Sequence, residues 1–391
     1  MSDKITELNM EKMPDDGNQT RRVVILAVIV LAVLGAVSLF LFNDELNLDG
    51  VMRRFKYIGA EDEEGFGSYS FDSHSSNRYA SFDDGLVVAS ISGLTLFDEN
   101  GMERSVVQQQ IDTPQLLSND EIAVIFDVGG YDLVALHEED GEVLRLELTH
   151  PILDADLSSD GAICVSTSDS GYKSVLQVYN DEQDLIYRWL SSSTYFPLCA
   201  ITEDGEQMAA VAVGQADGVF ESRVCFFRTD SEQIGKQVSL GNELIYDLVF
   251  ISSDVLCAVG EKSVQYLTLS GEYLGSYTYD ERYLKHFDCG GDGFLTLTMN
   301  MYRAGNRYSL ITVEDESAEV IADTFIGQEI LDVSASDRYI AVLSPGKLTV
   351  YTKTHSIYSE TTQVGDATSV VMRDDGSVLL LGGGEGTLYI P

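Results

Sequence analysis

Eight two-residue turn signals recur along most of this chain. They are Asp84-Gly85, Asn119-Asp120, Asp160-Gly161, Asp204-Gly205, Ser253-Asp254, Asp292-Gly293, Ser336-Asp337 and Asp375-Gly376. Successive signals lie 35, 41, 44, 49, 39, 44 and 39 residues apart. A period near 40 that punctuates short apolar runs is the period of a four-stranded propeller blade. It predicts an all-β ring and leaves little room for another architecture.

One unit shows the physics. Leu86-Val-Val-Ala-Ser90 is apolar on both faces, as a strand covered on both sides must be. Leu94-Thr-Leu-Phe97 alternates more, as a strand nearer the outside should. Asp98-Glu-Asn-Gly101 offers a turn in which Gly takes positive φ. Ile122–Phe126 with Leu133–Leu136, and Tyr339–Leu343 with Leu348–Tyr351, repeat the theme. A lone sheet of this kind leaves two apolar faces in water, so the units must pack in a circle.

The closing unit sharpens the expectation. Thr368–Met372, Val378–Leu381 and Thr387–Ile390 make three strands before Pro391, one short of a blade. The missing strand is expected from Val51–Ile58 or Phe66–Phe71, which precede the first unit. This gives eight blades, the last composite. Seven is the alternative, if the weak unit starting at Gln115 merges with its neighbour.

Ahead of the ring lies a different segment. Arg21-Arg22 precede an uncharged apolar run, Val23 to Phe42. Twenty residues at about 1.5 Å rise span roughly 30 Å, the thickness of a bilayer core. Lys4, Lys12, Arg21 and Arg22 flank it on one side, and Asn43, Asp44, Glu45 and Asp49 on the other. Positive charge favours the cytoplasmic side. The expected layout is a cytoplasmic tail (1–22), a transmembrane helix (23–42), a linker with the ring-closing strand (43–77) and an extracellular propeller (78–391). A cleaved signal peptide is the competing reading. Its core is shorter, and the imperfect site Ala36-Val37-Ser38 lies inside the run.

Charge excludes some partners. The chain carries 24 bases and 64 acids, for a net charge of −40. Four bases and five acids precede residue 43, so 20 bases and 59 acids remain beyond it. Such a field repels nucleic acid and anionic polymers. The cysteines (Cys164, Cys199, Cys225, Cys257 and Cys289) are odd in number, lack a CxxC and sit in apolar runs. They read as small buried hydrophobes rather than a disulfide framework.

Several of these features together resemble a known family. They are the anchor at 21–42, Pro114-Gln-Leu-Leu, Phe126-Asp-Val-Gly-Gly-Tyr-Asp-Leu133 and Asp374-Asp-Gly-Ser. The chain resembles an uncharacterised family of single-span, extracytoplasmic β-propellers of Gram-positive anaerobes. That domain of unknown function is described with quinoprotein-like or YVTN-like propellers. The resemblance implies a membrane-anchored, WD40-like ring and brings no activity and no functional residues. The Trp-Asp signature itself is absent, since Leu190 follows the single tryptophan, Trp189.

The search for chemistry finds little. His74, His137, His150, His286 and His355 are scattered, without HxH or HExxH spacing. No Gly-x-Ser-x-Gly elbow occurs. Gly382-Gly-Gly-Glu-Gly386 lacks the Lys-Ser/Thr ending of a phosphate loop and reads as a hairpin. The acidic clusters at 61–64, 138–140, 314–316 and 374–375 lack the ligand alternation of a calcium loop and read as turns. The innermost strands read as largely apolar or small, which disfavours a site in the channel.

What remains is a rim. Three second-to-third-strand hairpins are expected to be enlarged: Ser166–Tyr172, Gly214–Ser222 and Asn300–Asn306. With Ser191–Phe196 they would present Tyr172, Tyr195, Phe220, Tyr302 and Arg303 on one face. Aromatic and Arg side chains on one rim suit a protein partner. The expectation is a binding scaffold for a protein or cell-envelope partner, not an enzyme, with no cofactor or metal. The alternatives are a channel enzyme, quinone-dependent or hydrolytic, and a transmembrane sensor component.

Overall fold

The computed structural model describes Arg53, Lys56, Tyr57 and residues 65–391 apart from 120. The chain divides into two compact units, Met1–Ile58 and Gly59–Pro391. In the first, Arg53 and Lys56 are helical, and the Tyr57 N–H donates to the Arg53 carbonyl (3.0 Å). The expected transmembrane run, 23–42, lies outside the described residues. Among the described residues no helix is long and apolar enough to cross a membrane.

The second unit is an all-β propeller of eight four-stranded antiparallel sheets. The innermost strands, in blade order, are Arg78–Phe82, Pro114–Ser118, Ile152–Leu157, Tyr195–Ile201, Ile245–Phe250, Tyr283–Gly291, Asp332–Ser336 and Ser369–Met372. Asn119 and the other seven turn signals sit in the hairpin between the first and second strands of their blades. That hairpin defines the lower face. The second-to-third hairpins and the blade-to-blade connections lie on the upper face, because every sheet is an up-and-down meander.

The unit at Gln115 is a full blade of its own, so the count is eight and not seven. The last blade is composite. Ser68–Ser70 pairs antiparallel with Glu385–Tyr389, Ser68 opposite Thr387 and Ser70 opposite Glu385. The ring-closing strand therefore comes from the Phe66–Phe71 segment. Most of the other candidate, Val51–Ile58, lies outside the described residues.

One apolar cluster among the described residues fills each boundary between blades. Period-2 geometry explains why a single strand serves two of them. In Ile122–Asp127, Ala123 and Ile125 turn toward the first blade, whereas Ile122, Val124 and Phe126 turn toward the third. Fully burying a Val, Leu, Ile or Phe contributes about 1.5–3 kcal/mol, so these clusters are the main cohesive force. At the seam, Tyr69 packs edge-on against Phe97 (centroids 6.1 Å apart) with Leu86, Leu379 and Leu381 around it. The buried Arg373 guanidinium donates to the carbonyls of Asp84 (2.9 Å) and Gly85 (2.6 Å), tying the eighth blade to the first.

An innermost strand is also an edge, with backbone donors that no further strand can take. Side chains of the preceding blade take several of them. Asp154 and Asp156 accept from the Cys199 and Ile201 N–H groups (both 2.9 Å). Asp332 and Ser334 accept from the Val370 and Met372 N–H groups (both 3.0 Å). The innermost strands are thus not uniformly apolar or small. Asp154, Asp156, Asp247, Asp288 and Asp332 stand on them, against the sequence expectation.

Candidate partner-binding face

The five rim residues all lie on the upper face, although the hairpins that carry them are not the loops expected. Ser166–Tyr172 is no loop: Ile163–Asp169 and Tyr172–Tyr179 run on to a two-residue turn at Ser170-Gly171. In the fourth blade, Gln207–Ala216 and Val219–Arg228 are ten-residue strands paired up to Ala216 opposite Val219. Positive φ at Asp217 (52°) and Gly218 (80°) makes the tight turn that suits twisted strands. Only the third hairpin is a true loop, residues 301–307 of the sixth blade.

The five fall into two groups. Tyr172, Tyr195 and Phe220 are exposed on the third and fourth blades, with the Lys173 ammonium 5.0 Å from the Tyr195 ring centroid. Tyr302 and Arg303 belong to a cleft of about 1070 Å³ between the fifth and sixth blades. Arg303 lies over the Tyr283 ring, 5.4 Å from its centroid.

The cleft is built on fixed supports. Glu243, only 6% exposed, accepts from the Lys262 and Ser263 N–H groups (2.6 Å each), the Ser263 hydroxyl (2.7 Å) and the Gln265 amide (3.1 Å). It thereby holds the hairpin that presents Glu261 and Lys262. A Cβ at Gly260 would meet the Glu243 carboxylate at 2.3 Å, so a larger residue there would displace that side chain from its donors. On the opposite wall the buried Asn300 donates to the Gly305 carbonyl (2.6 Å) and accepts from the Tyr302 N–H (3.2 Å). The Lys285 ammonium donates to the Arg303 carbonyl (3.0 Å). Tyr246, Met301 and Tyr302 are 48%, 49% and 53% exposed at the mouth.

Charge inverts locally. Lys262, Arg282, Lys285 and Arg303 line the cleft against Glu261 and Glu281. Arg282 is paired with Asp323 (2.9 Å). Lys262 bonds the Asn242 carbonyl and Lys285 that of Arg303, and neither they nor Arg303 forms an ion pair among the described residues. Elsewhere several arginines are matched with acids, as in Arg104–Glu138, Arg188–Asp169, Arg223–Glu221 and Arg228–Asp230, whereas Arg78 and Arg373 donate to backbone carbonyls.

The innermost-strand carboxyls form the other polar concentration. Burial pushes Asp156 up to about 7 and Asp288 and Asp332 up to about 6, and it raises Asp154 and Asp247 as well. Their N–H partners pull the other way without cancelling it. Among the described residues no group of three or more His, Cys, Asp or Glu is placed to hold a metal ion. His355 sits between the Thr312 and Thr324 hydroxyls (2.7 and 2.8 Å), and burial lowers it to about 4. It is a satisfied structural histidine.

Sequence reading missed Tyr246, Lys262, Tyr283 and Lys285. The cleft draws on residues 246–303, so no local motif marks it. A signal did exist: the innermost strands Ile245–Phe250 and Tyr283–Gly291 open on exposed aromatic residues.

The sequence profile described as "Family of unknown function (DUF5711)" matches residues 61–374. No curated protein sequence matches the chain. Among solved structures it is similar to BamB from Moraxella catarrhalis, with 14% identity, a TM-score of 0.53 and coverage of 82% of this chain and 95% of that one. It is similar to Sqt1 from Saccharomyces cerevisiae at 8% identity and a TM-score of 0.61, covering 84% and 100%. A quinohemoprotein alcohol dehydrogenase from Comamonas testosteroni gives 10% identity and a TM-score of 0.54, covering 82% and 72%. At such identities the likeness is one of fold.

Proposed function

The chain belongs to the Family of unknown function (DUF5711), and we propose that this member is a non-catalytic scaffold that docks a protein partner on its upper face. The observation that carries this is the concentration of exposed aromatic side chains there. Tyr172, Tyr195, Phe220, Tyr246, Tyr283 and Tyr302 stand on four consecutive blades. Exposed aromatic and Arg side chains on a rigid surface are what interface hot spots are made from. A ring supplies that rigidity without chemistry of its own. The innermost-strand carboxyls are engaged with backbone donors, which favours a structural role for them over a catalytic one.

The apolar run 23–42 and the arginine pair before it support a membrane-anchored, extracytoplasmic placement. The partner is then a protein of the cell envelope. A photo-crosslinking amino acid at Tyr195 or Phe220 should capture one partner in the producing cell. At Met102, exposed on the lower face, it should capture none. Equal capture at Met102, or capture at neither upper position, would rule the reading out.

A further inference from the structure

We propose that the cleft between the fifth and sixth blades recognises an acidic, tyrosine- or phenylalanine-containing peptide segment of the partner. This rests on the reading that the upper face docks a protein, and it names what that face selects.

The first support is charge. Beyond residue 42 acids outnumber bases 59 to 20, yet the bases outnumber the acids in this cleft. Lys262, Lys285 and Arg303 are the informative ones, because each is held in place and none forms an ion pair among the described residues. Lys262 and Lys285 are fixed by backbone carbonyls (2.6 and 3.0 Å) and Arg303 by the Tyr283 ring. A carbonyl or a ring orients a cation without cancelling its charge. In a body this acidic, neutralising carboxylates were available, as the matched arginines elsewhere show. Three oriented, unpaired cations on facing walls complement a ligand that brings its own carboxylates.

The second support is shape and surface. A volume of about 1070 Å³ lies just above the roughly 300–1,000 Å³ of small-molecule pockets and suits a short chain segment. Tyr246, Tyr283 and Tyr302 line the cleft with the cations, so the ligand meets rings as well as charges. This favours a peptide over a plain polyanion. A nucleic acid or an anionic bilayer would also present its charge to the acidic remainder of the ring, whereas a short peptide meets the cleft alone. Glu261 and Glu281 at the cleft oppose binding and tune it.

The test uses the full chain in non-ionic detergent at about 0.15 M salt, where the Debye length of about 8 Å screens the body but not the cleft. The probe is a short fluorescein-labelled peptide of alternating glutamate and tyrosine, read by anisotropy. Single-stranded DNA, inorganic polyphosphate and phosphatidylglycerol vesicles are titrated alongside. Saturable peptide binding is expected, weakened about tenfold when Lys262→Ala, Lys285→Ala and Arg303→Ala are combined. Met102→Ala, exposed on the lower face, should leave it unchanged, and Glu281→Gln should tighten it. The proposal is overturned if the peptide does not saturate, or if the triple variant binds it as well as the wild type does. It is also overturned if DNA, polyphosphate or vesicles bind more tightly than the peptide through the same three residues. Crosslinking at Tyr195 and Phe220 does not involve these residues, so the cleft can fail while the docking face stands.

Discussion

Asp156 shows how one side chain sets a pH response. Its folded-state pKa is about 7, raised by burial, against an ordinary value near 3.8. The unfolded chain gives up this proton first as pH rises, so between about 4 and 7 the folded state holds more protons. Asp156 therefore lowers stability progressively across that window, and Asp288 and Asp332 do so up to about 6. Asp156→Asn keeps an oxygen for the Ile201 N–H and removes the charge, so urea midpoints should fall less between pH 5 and 8 than in the wild type. Asp156→Ala should instead cost about 1–3 kcal/mol near pH 4, where the folded carboxyl is protonated, because the Ile201 donor loses its acceptor, and the cost should shrink as pH rises. The cysteines give a second prediction at this scale. The neighbouring Cys164 thiol, with burial, holds Cys199 well above the usual thiol range, and burial raises Cys164 as well. Burial pushes Cys225 up to about 11, and the Cys257 contact with burial raises Cys289. Iodoacetamide at pH 8 should leave all of these four unmodified in the folded protein, as read by intact mass, and label them once urea unfolds it.

Among the elements, the seam carries the sharpest prediction. Three residues, Ser68–Ser70, complete the eighth blade, and Tyr69 is their buried anchor. Tyr69→Ala should cost about 3 kcal/mol, a typical loss for a buried aromatic, and should expose the seam to limited proteolysis before any other boundary. Arg373→Ala should open the same seam from the eighth-blade side. The eight turn pairs were legible in the sequence because only a few residues tolerate the backbone of a tight reversal. Gly161, Gly205, Gly293 and Gly376 all have positive φ there. The composite blade was legible because strands can be counted. Hairpin size was not, since Thr167 and Gly214 look like loop residues while the ladders run on past them. The belt of aspartates was illegible for a related reason: an acid inside a strand resembles a solvated one until its partner on the next blade is known.

For the molecule as a whole, a net charge of −40 means that the folded ring compresses its own repulsion. Raising NaCl from about 0.01 to 0.3 M shortens the Debye length from about 30 Å to below 8 Å, so the melting temperature should rise. A flat or falling melting temperature would show that surface charge is not what limits the fold. The ring itself could be read from its period, and the upper face from the order of strands. The cleft could not, because Tyr246 and Arg303 come together only when two blades are docked.

Ser68–Ser70 finds its place only beside Glu385–Tyr389, more than 300 residues further along the chain. During synthesis this stretch leaves the ribosome long before its mate exists. Seven blades can stack as they appear, but the circle has to wait for the last hairpin, and the waiting edges are sticky. So distant a pairing should make the final step the slow one in refolding. A nascent chain of this kind gains from being kept apart from its siblings until the final turn of sheet arrives.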